Sequence, residues 1–313
     1  MKKAIVLLIV MVCLAAGIWG IFMLRGSAGK AGDHVENDNG NTGVAADVTE
    51  SGTTTEEQTA DSQETTEVTE EEKPSLVDET LAGMTLHEKV CQMMFVTPEE
   101  LTGEDGVTVA GDATRQALEN YPVGGIVYFA KNLESQDQVK EMIDNSQKYS
   151  SIGLFVATDE EGGVVNRLMD TVGTTYIGSM YYYKDDGDET AYENAYTIAN
   201  DMSALGFNLD FAPVADVWSN PDNTVIGERA YSDDYAQAAE LVGNAVKGFN
   251  DGGVMCTLKH FPGHGDTAED SHYSSAYVHR TKEEIMADEM QPFRSGIEAG
   301  AEFVMVGHLI VPD

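Results

Sequence analysis

Six short apolar runs, separated by segments with helical periodicity, constrain the fold of this chain more than any other feature of its sequence. Each run is four to six residues long, the length of a strand buried on both faces. The runs are Met93–Val96, Gly125–Phe129, Leu154–Asp159, Leu209–Val214, Met255–His260 and Phe303–His308. Continuous apolar strands that alternate with helices are typical of a parallel sheet covered on both sides.

Helical patterns fill the intervals between these runs. Thr85 followed by Glu88 is a capping-box pattern that opens a helix before the first run. Apolar stripes predict further helices at Gln136–Tyr149, Ala191–Leu205, Ala236–Asn250 and Glu283–Ala299. The sequence therefore indicates an α/β protein made of repeated strand–helix units.

Polar residues stand at or just past the carboxyl ends of several runs. They are Asp159, Asp216, Lys259, His260 and His308. This repetition favours a (β/α)8 barrel of the TIM type over an open doubly wound sheet. No G-x-G-x-x-G segment follows a strand, which weakens the dinucleotide-binding alternative. Since only six strands are visible before Asp313, we expect a barrel truncated after about six strands.

The charge of the chain excludes some classes of partner. Its 313 residues carry 54 acidic and 18 basic side chains, a formal net charge of −36. Nucleic acid is not expected as a partner, because binding phosphates requires a basic surface. The three cysteines are scattered, and Cys91 and Cys256 lie in apolar patterns where a buried thiol is expected. The spacing indicates neither a disulfide framework nor a CxxC metal site.

The N-terminal residues predict export. Two lysines precede the uncharged apolar run Ala4–Leu24, which is long enough to span a bilayer. We interpret residues 1–25 as a transmembrane anchor, with a cleaved signal peptide as the alternative. Residues 26–75 are rich in Thr and Glu and predict a disordered acidic linker, and the folded domain is assigned to 76–313. The domain is expected at the extracellular face of the cell membrane, or secreted if the segment is cleaved.

Chemistry-bearing residues are most concentrated in the segment Leu258–His272. It contains Lys259, His260, His264, Asp266, Asp270 and His272, interrupted by two glycines and a proline. A Lys-His pair that ends a buried strand and leads into a polar loop is how α/β enzymes present reactive groups. We interpret this segment as the active site. These histidines and carboxylates, with His308, are also possible metal ligands, but neither HExxH nor His-x-His supports a metal-dependent hydrolase.

Several segments together resemble glycoside hydrolase family 3, in particular its β-N-acetylglucosaminidase branch. The matching segments are MTLHEKVCQM from Met84, VGGIVYF from Val123, TDEEGGVVNR from Thr158, LDFAPVADV from Leu209, VIGERAY from Val225, KHFPGHGDT with DSH from Lys259, and VMVGH from Val304. The resemblance extends from about residue 84 to 313 and keeps the order of the family. KHFPGHGDT followed by DSH is its most specific part.

The resemblance implies an exo-acting, retaining β-N-acetylglucosaminidase. It assigns the sugar ring to Asp159, Arg167, Arg229, Lys259 and His260. Charged donors and acceptors around a ring of hydroxyls make chemical sense for a sugar site. The alternatives are an internal ion pair between Asp159 and Arg167, and a salt bridge from Arg229 to Glu228 or another acidic neighbour.

The resemblance also assigns the acid/base role to Asp270 and His272. A histidine oriented by a carboxylate can protonate the leaving oxygen. His264 and Asp266 are interpreted as residues that hold the shape of the loop. The implied substrate is a carbohydrate, a peptidoglycan-derived or chitin-type glycan with terminal N-acetylglucosamine, and no cofactor or metal is expected.

The nucleophile of the family does not match any residue here. It is an aspartate at the end of the seventh strand, in a segment resembling FSDDL, and Asp313 does not match that position. Because a retaining mechanism needs this carboxylate opposite the acid/base, we expect the sequence to be a fragment. A non-catalytic sugar-binding protein is therefore the alternative to an active glycosidase.

Overall fold

Six parallel strands, hydrogen-bonded in the order in which they follow one another in the chain, form the main sheet. They are seen in the computed structural model, which describes residues 75–268 and 276–311. The strands are β1 (Phe95–Val96), β2 (Gly125–Val127), β3 (Phe155–Thr158), β4 (Leu209–Asp210), β5 (Met255–Phe261) and β7 (Phe303–Val306). A separate parallel pair is formed by β6 (Ala276–Tyr277) and β8 (Leu309–Ile310). The prediction of about six strands of a TIM-type barrel is confirmed.

Among the described residues, two helices precede β1, and the others lie between successive strands of the sheet. They are α1 (Leu76–Gly83), α2 (Leu86–Gln92), α3 (Pro98–Thr102), α4 (Asp112–Asn120), α5 (Gln136–Tyr149), α6 (Leu168–Val172), α7 (Asp188–Leu205), α8 (Tyr235–Asp251), α9 (Lys282–Ala287) and α10 (Met290–Ala299). The predicted capping box is confirmed: Thr85 Oγ1 accepts from the amide of Glu88, and the Glu88 carboxylate accepts from the amide of Thr85. Helix α5 has the predicted bounds.

The single helix predicted at Glu283–Ala299 is wrong, because the chain breaks into α9 and α10 at Asp288–Glu289. Pro292 is the reason. Proline has no amide proton and is tolerated only in the first turn of a helix, and Pro292 occupies that turn in α10. The helix must therefore restart just before it.

The two faces of the sheet bury different residues, since side chains alternate along a strand. Ile126, Val156 and Leu258 belong to the larger core, which also contains the helix residues. Val127, Ala157 and Leu209 belong to a second cluster on the opposite, inner face. Side chains that follow this alternation past the carboxyl end of a strand on the inner face therefore lie beside the polar groups at that end of the sheet.

The predicted N-terminal segments fall outside the part of the chain that the structure describes. The anchor or signal peptide at 1–25 and almost all of the linker at 26–75 precede its first described residue, Ser75. Residues from Thr80 onwards belong to the unit that contains the sheet. Within 75–268 and 276–311, no helix has both the length and the apolar composition needed to cross a bilayer.

Candidate active site

Lys259 and Asp159 meet at the carboxyl end of the sheet although they lie on different strands. Lys259 continues the inner register of β5, and Asp159 directly follows β3, two strands away. Neighbouring strands are about 4.8 Å apart, and the long lysine side chain crosses this gap. Its Nζ lies 3.0 Å from Oδ1 of Asp159 and 2.5 Å from Oε1 of Glu161.

Glu161 joins Lys259 to Arg229. Arg229 donates two parallel hydrogen bonds to it, from Nε to Oε2 and from Nη2 to Oε1, both 2.8 Å long. Burial alone would raise the pKa of Glu161, but the charges of Lys259 and Arg229 lower it to about 2. Against the same burial, Glu161 and Asp159 raise the pKa of Lys259 above its usual value. All three groups are therefore charged at neutral pH.

His260 is oriented by Asp216. Its Nδ1 lies 2.7 Å from Oδ2 of Asp216, and its backbone amide donates to the same carboxylate. Burial lowers the pKa of His260 even though the Asp216 charge favours the protonated ring. At neutral pH the ring is therefore neutral, with Nδ1 protonated to donate to Asp216, so Nε2 is left as an acceptor.

Arg167 lies at the more exposed side of the cluster. Its Nη2 is 3.7 Å from Oδ2 of Asp159, and its guanidinium carbon lies 5.9 Å from the ring centre of Phe129. The side chains of Arg167 and Asp159 are 29% and 18% exposed, against 2% for Lys259. These two residues therefore present free hydrogen-bonding capacity to solvent.

Two more carboxyl groups are buried beneath the cluster. Glu160 accepts hydrogen bonds from the backbone amides of residues 167, 168 and 169, where α6 begins. Asp210 accepts from the amide of Glu160, while its Oδ2 is buried without a hydrogen-bond partner among the described residues. Burial raises the pKa of Asp210 well above its usual value. Folding therefore favours the protonated form of Asp210.

The structure brings together the five residues assigned to sugar binding. Asp159, Arg167, Arg229, Lys259 and His260 all lie at the carboxyl end of the sheet. The acidic partner of Arg229 is Glu161, which fits the alternative of a salt bridge to another acidic neighbour. Asp159 and Arg167 form the ion pair of the other alternative, with 3.7 Å between Oδ2 and Nη2. The predicted acid/base residues Asp270 and His272 lie outside the described residues, so their role stays a prediction.

Two functional carboxylates were not among the predicted site residues. Glu161 stands in the TDEEGG segment and Asp216 just past a predicted strand, so both positions were visible in the sequence. What identifies them is contact with the cations and with His260. The loop residue His264 is buried, and its amide donates to Asp216 at 2.7 Å. This contact fits the loop-holding role expected of His264.

Metal ligation was the alternative interpretation of these histidines and carboxylates. Over residues 75–268 and 276–311, no group of three or more His, Cys, Asp or Glu side chains is arranged to hold a metal ion. The contacts instead pair Glu161 with Lys259 and Arg229, and Asp216 with His260. In this part of the chain the arrangement suits a neutral ligand with many hydroxyl groups.

The fold and this cluster define a TIM-type α/β domain with a polar ligand site at the carboxyl ends of its strands. The family model described as glycosyl hydrolase family 3 N terminal domain matches residues 85–313, and the chain belongs to this family.

Known relatives agree with this assignment. A beta-hexosaminidase from Xylella fastidiosa (strain M12) is 34% identical over 218 residues, which are 68% of this chain and 64% of the relative. Beta-hexosaminidase A from Pseudoalteromonas piscicida is 34% identical over 206 residues, 63% of this chain but 34% of that protein. This chain thus spans less than two thirds of the length of both relatives.

Solved structures show the same similarity. A glycoside hydrolase family 3 beta-N-acetylglucosaminidase from Paenibacillus sp. str. FPU-7 is 38% identical with a TM-score of 0.68, covering 73% of this chain and 43% of that one. Native NagZ from Neisseria gonorrhoeae is 28% identical with a TM-score of 0.63, covering 70% of this chain and 63% of its own.

Proposed function

We propose that this chain binds the terminal N-acetylglucosamine of a β-glycan and takes part in its hydrolysis. Asp159, Arg167, Arg229, Lys259 and His260 form the subsite for the sugar ring. The observation that carries the proposal is the convergence of these five side chains at the carboxyl end of the sheet. The names of the relatives, beta-hexosaminidase and beta-N-acetylglucosaminidase, support the choice of sugar.

The charge balance of the cluster favours an uncharged ligand. Lys259, Arg229 and Arg167 contribute three positive charges, and they pair with the carboxylates Asp159 and Glu161. Asp216 adds a third negative charge beside the neutral ring of His260. A phosphate or carboxylate ligand would be better held by an excess of cations. A neutral cluster with many donors and acceptors fits the hydroxyl groups of a sugar.

The proposed reaction is retaining hydrolysis. A carboxylate nucleophile, which no residue of this sequence matches, attacks the anomeric carbon as the glycosidic bond breaks, and water then cleaves the glycosyl-enzyme bond. Asp270 and His272 form the acid/base dyad of this reaction. The histidine protonates the glycosidic oxygen, and Asp270 stabilises the imidazolium that precedes this transfer. The substrates are peptidoglycan-derived or chitin-type glycans. We further propose that the domain acts outside the cell, held to the membrane by residues 1–25, and membrane fractionation of cells producing the full chain tests this location.

Calorimetry with N-acetylglucosamine tests the sugar subsite. Lys259→Met removes the buried charge between Asp159 and Glu161, so binding is expected to be lost. Lys140→Met is the matched control, because Lys140 is an exposed residue of α5, and it should bind as the unchanged chain does. Equal affinity in all three proteins would refute the proposed subsite.

Hydrolysis of a nitrophenyl β-N-acetylglucosaminide tests the reaction. Turnover that is abolished by His272→Ala while N-acetylglucosamine still binds would support the Asp270–His272 dyad. Normal turnover by this variant would refute the dyad. Binding without turnover in the unchanged chain would identify a sugar-binding protein instead.

A further inference from the structure

Glu289 is a buried carboxylate outside the sugar cluster that contacts the loop following β5. The residue is 1% exposed. A methyl group placed on Gly263 would lie 2.9 Å from its Oε2, so the carboxylate is packed directly against the backbone of that glycine. Gly263 adopts a φ of +130°, which disfavours any side chain there. The position is therefore suited to contact between a bare backbone and a carboxylate.

The other oxygen of Glu289 is bound by two donors from different parts of the fold. Oε1 accepts from the hydroxyl of Tyr235 in α8 at 3.0 Å and from Nη1 of Arg280 at 3.3 Å. Arg280 also binds the carboxylate of Asp288. Oε2 has no hydrogen-bond partner among the described residues. Glu289 is thus anchored on one side and presents its free oxygen to the loop.

The loop that Glu289 supports carries the histidine assigned to the sugar. The amide of Gly263 donates to the carbonyl of His260 at 2.9 Å. The next amide, that of His264, donates to Asp216, which also accepts from the ring of His260. A shift of Gly263 would therefore change both the backbone and the ring environment of His260.

Titratable and charged groups face Glu289 from every side. Tyr235 comes from α8, Arg280 and Asp288 from the segments that flank α9, and Asp216 and Asp266 from the carboxyl end of the sheet and the loop. His264 lies on the same loop. Burial first, and then the charges of Asp216 and Asp266, raise the pKa of Glu289 to about 7, although Tyr235 and Arg280 oppose this change.

We propose that Glu289 is a positioning residue for the loop from His260 to His264, and that its ionised form holds His260 in place for the sugar. The second part rests on the function proposed above. When Glu289 gains a proton, its charge-assisted bond to Arg280 is weakened and the support beneath Gly263 changes. Sugar affinity then falls on acidification, even where His260 keeps its own charge state.

The test follows the backbone amide signals of Gly263 and His264 by NMR from pH 5 to pH 9, using the full chain. In the unchanged protein both signals are expected to shift with an inflection near pH 7. Glu289→Gln keeps the size of the side chain but removes its titration, so this inflection disappears. Tyr235→Phe removes a hydrogen bond that favours the ionised form, so the inflection moves to higher pH.

Glu302→Gln is the matched control. Glu302 also has a raised pKa through burial, but it binds the amide of Cys256 at the opposite end of β5. This variant should leave the inflection unchanged. An inflection that persists in Glu289→Gln, or that does not move in Tyr235→Phe, would overturn the proposal.

Calorimetry with N-acetylglucosamine separates this inference from the proposed function. At pH 8, Glu289→Gln should bind about three- to tenfold more weakly than the unchanged chain, and the difference should vanish at pH 5.5. If neither protein binds the sugar but the amide inflection behaves as expected, the proposed sugar-binding function is wrong and the positioning of the loop by Glu289 is supported. If sugar binding has the same pH dependence in both proteins, the positioning role fails and the function stands.

Discussion

Replacing Glu161 by glutamine is expected to destabilise the protein through the two cations that the carboxylate neutralises. The pKa of Glu161 falls from its usual value of 4.5 to about 2 in the folded protein. At about 1.4 kcal/mol per pH unit, this difference corresponds to roughly 3 kcal/mol of folding free energy. Removing one partner of a buried ion pair costs a similar amount, about 3–5 kcal/mol. Both arguments predict a large loss at pH 7.

The pH dependence gives the sharper form of this prediction. Because the folded-state pKa is depressed, the contribution of Glu161 is complete above pH 4.5 and is lost as the pH falls through about 2. Urea unfolding of the unchanged chain and of Glu161→Gln should therefore differ most at neutral pH. Their free energies of unfolding should converge as the pH approaches 2.

Glu119→Gln is the control for this experiment, since Glu119 is 58% exposed and pairs with Arg115 at the surface. It should leave the unfolding curve unchanged. A Glu161→Gln protein whose free energy of unfolding lies within about 1 kcal/mol of the unchanged chain would refute the reasoning. The positive charges of Lys259 and Arg229 would then have to be neutralised by groups other than Glu161.

Three further substitutions separate stability from binding at the same site. Asp159→Asn should weaken N-acetylglucosamine binding in calorimetry by on the order of tenfold, yet change urea unfolding less than Glu161→Gln does, because Asp159 is partly exposed. Asp216→Asn should lower the pKa of His260 further in an NMR titration, since the Asp216 charge raises that pKa; an unchanged His260 titration would contradict the assigned contact. Asp210→Asn should raise the free energy of unfolding at pH 7, with no gain below pH 3.8. The reason is that folded Asp210 holds a proton that the unfolded chain releases above that pH, so the unchanged protein loses stability as the pH rises. Urea unfolding at both pH values measures this gain.

Local sequence signals, such as helix caps and apolar stripes, predicted the helices whose ends they determine. The bounds of α5 follow from Ser135, whose side chain accepts from the amide of Gln138, and from the apolar stripe behind it. The strand predicted at Leu209–Val214 is shorter, since β4 ends at Asp210. Pro213 has no amide to donate, so the regular ladder stops before it. Beyond Pro213, Val214 pairs with Lys259 in an isolated parallel β-bridge.

The sequence predicted the site residues at the ends of the strands. It did not predict Glu161 and Asp216, the carboxylates that bind their side chains. Consecutive glutamates at 160 and 161 look equivalent in the sequence, yet one caps a helix and the other binds two cations. The turn at Gly162 and Gly163, which both have positive φ, brings Val165 back to Glu161 and the amide of Arg167 to the carboxylate of Glu160. A side chain on Gly163 would collide with Ser179, a residue distant in sequence. The role of Glu161 is therefore a tertiary property.

Under the proposed function, the contacts divide the cluster into residues that hold the site and residues that would reach the sugar. Lys259, Glu161 and Asp216 are almost completely buried, and each already has its charged or imidazole partners before a sugar arrives. Asp159 and Arg167 are the more exposed members, and their 3.7 Å pairing is long for a strong hydrogen bond. A hydroxyl group placed between them could therefore accept from Arg167 and donate to Asp159 without breaking a strong contact. Because the buried members are fixed in advance, little of the binding free energy is lost to ordering the site.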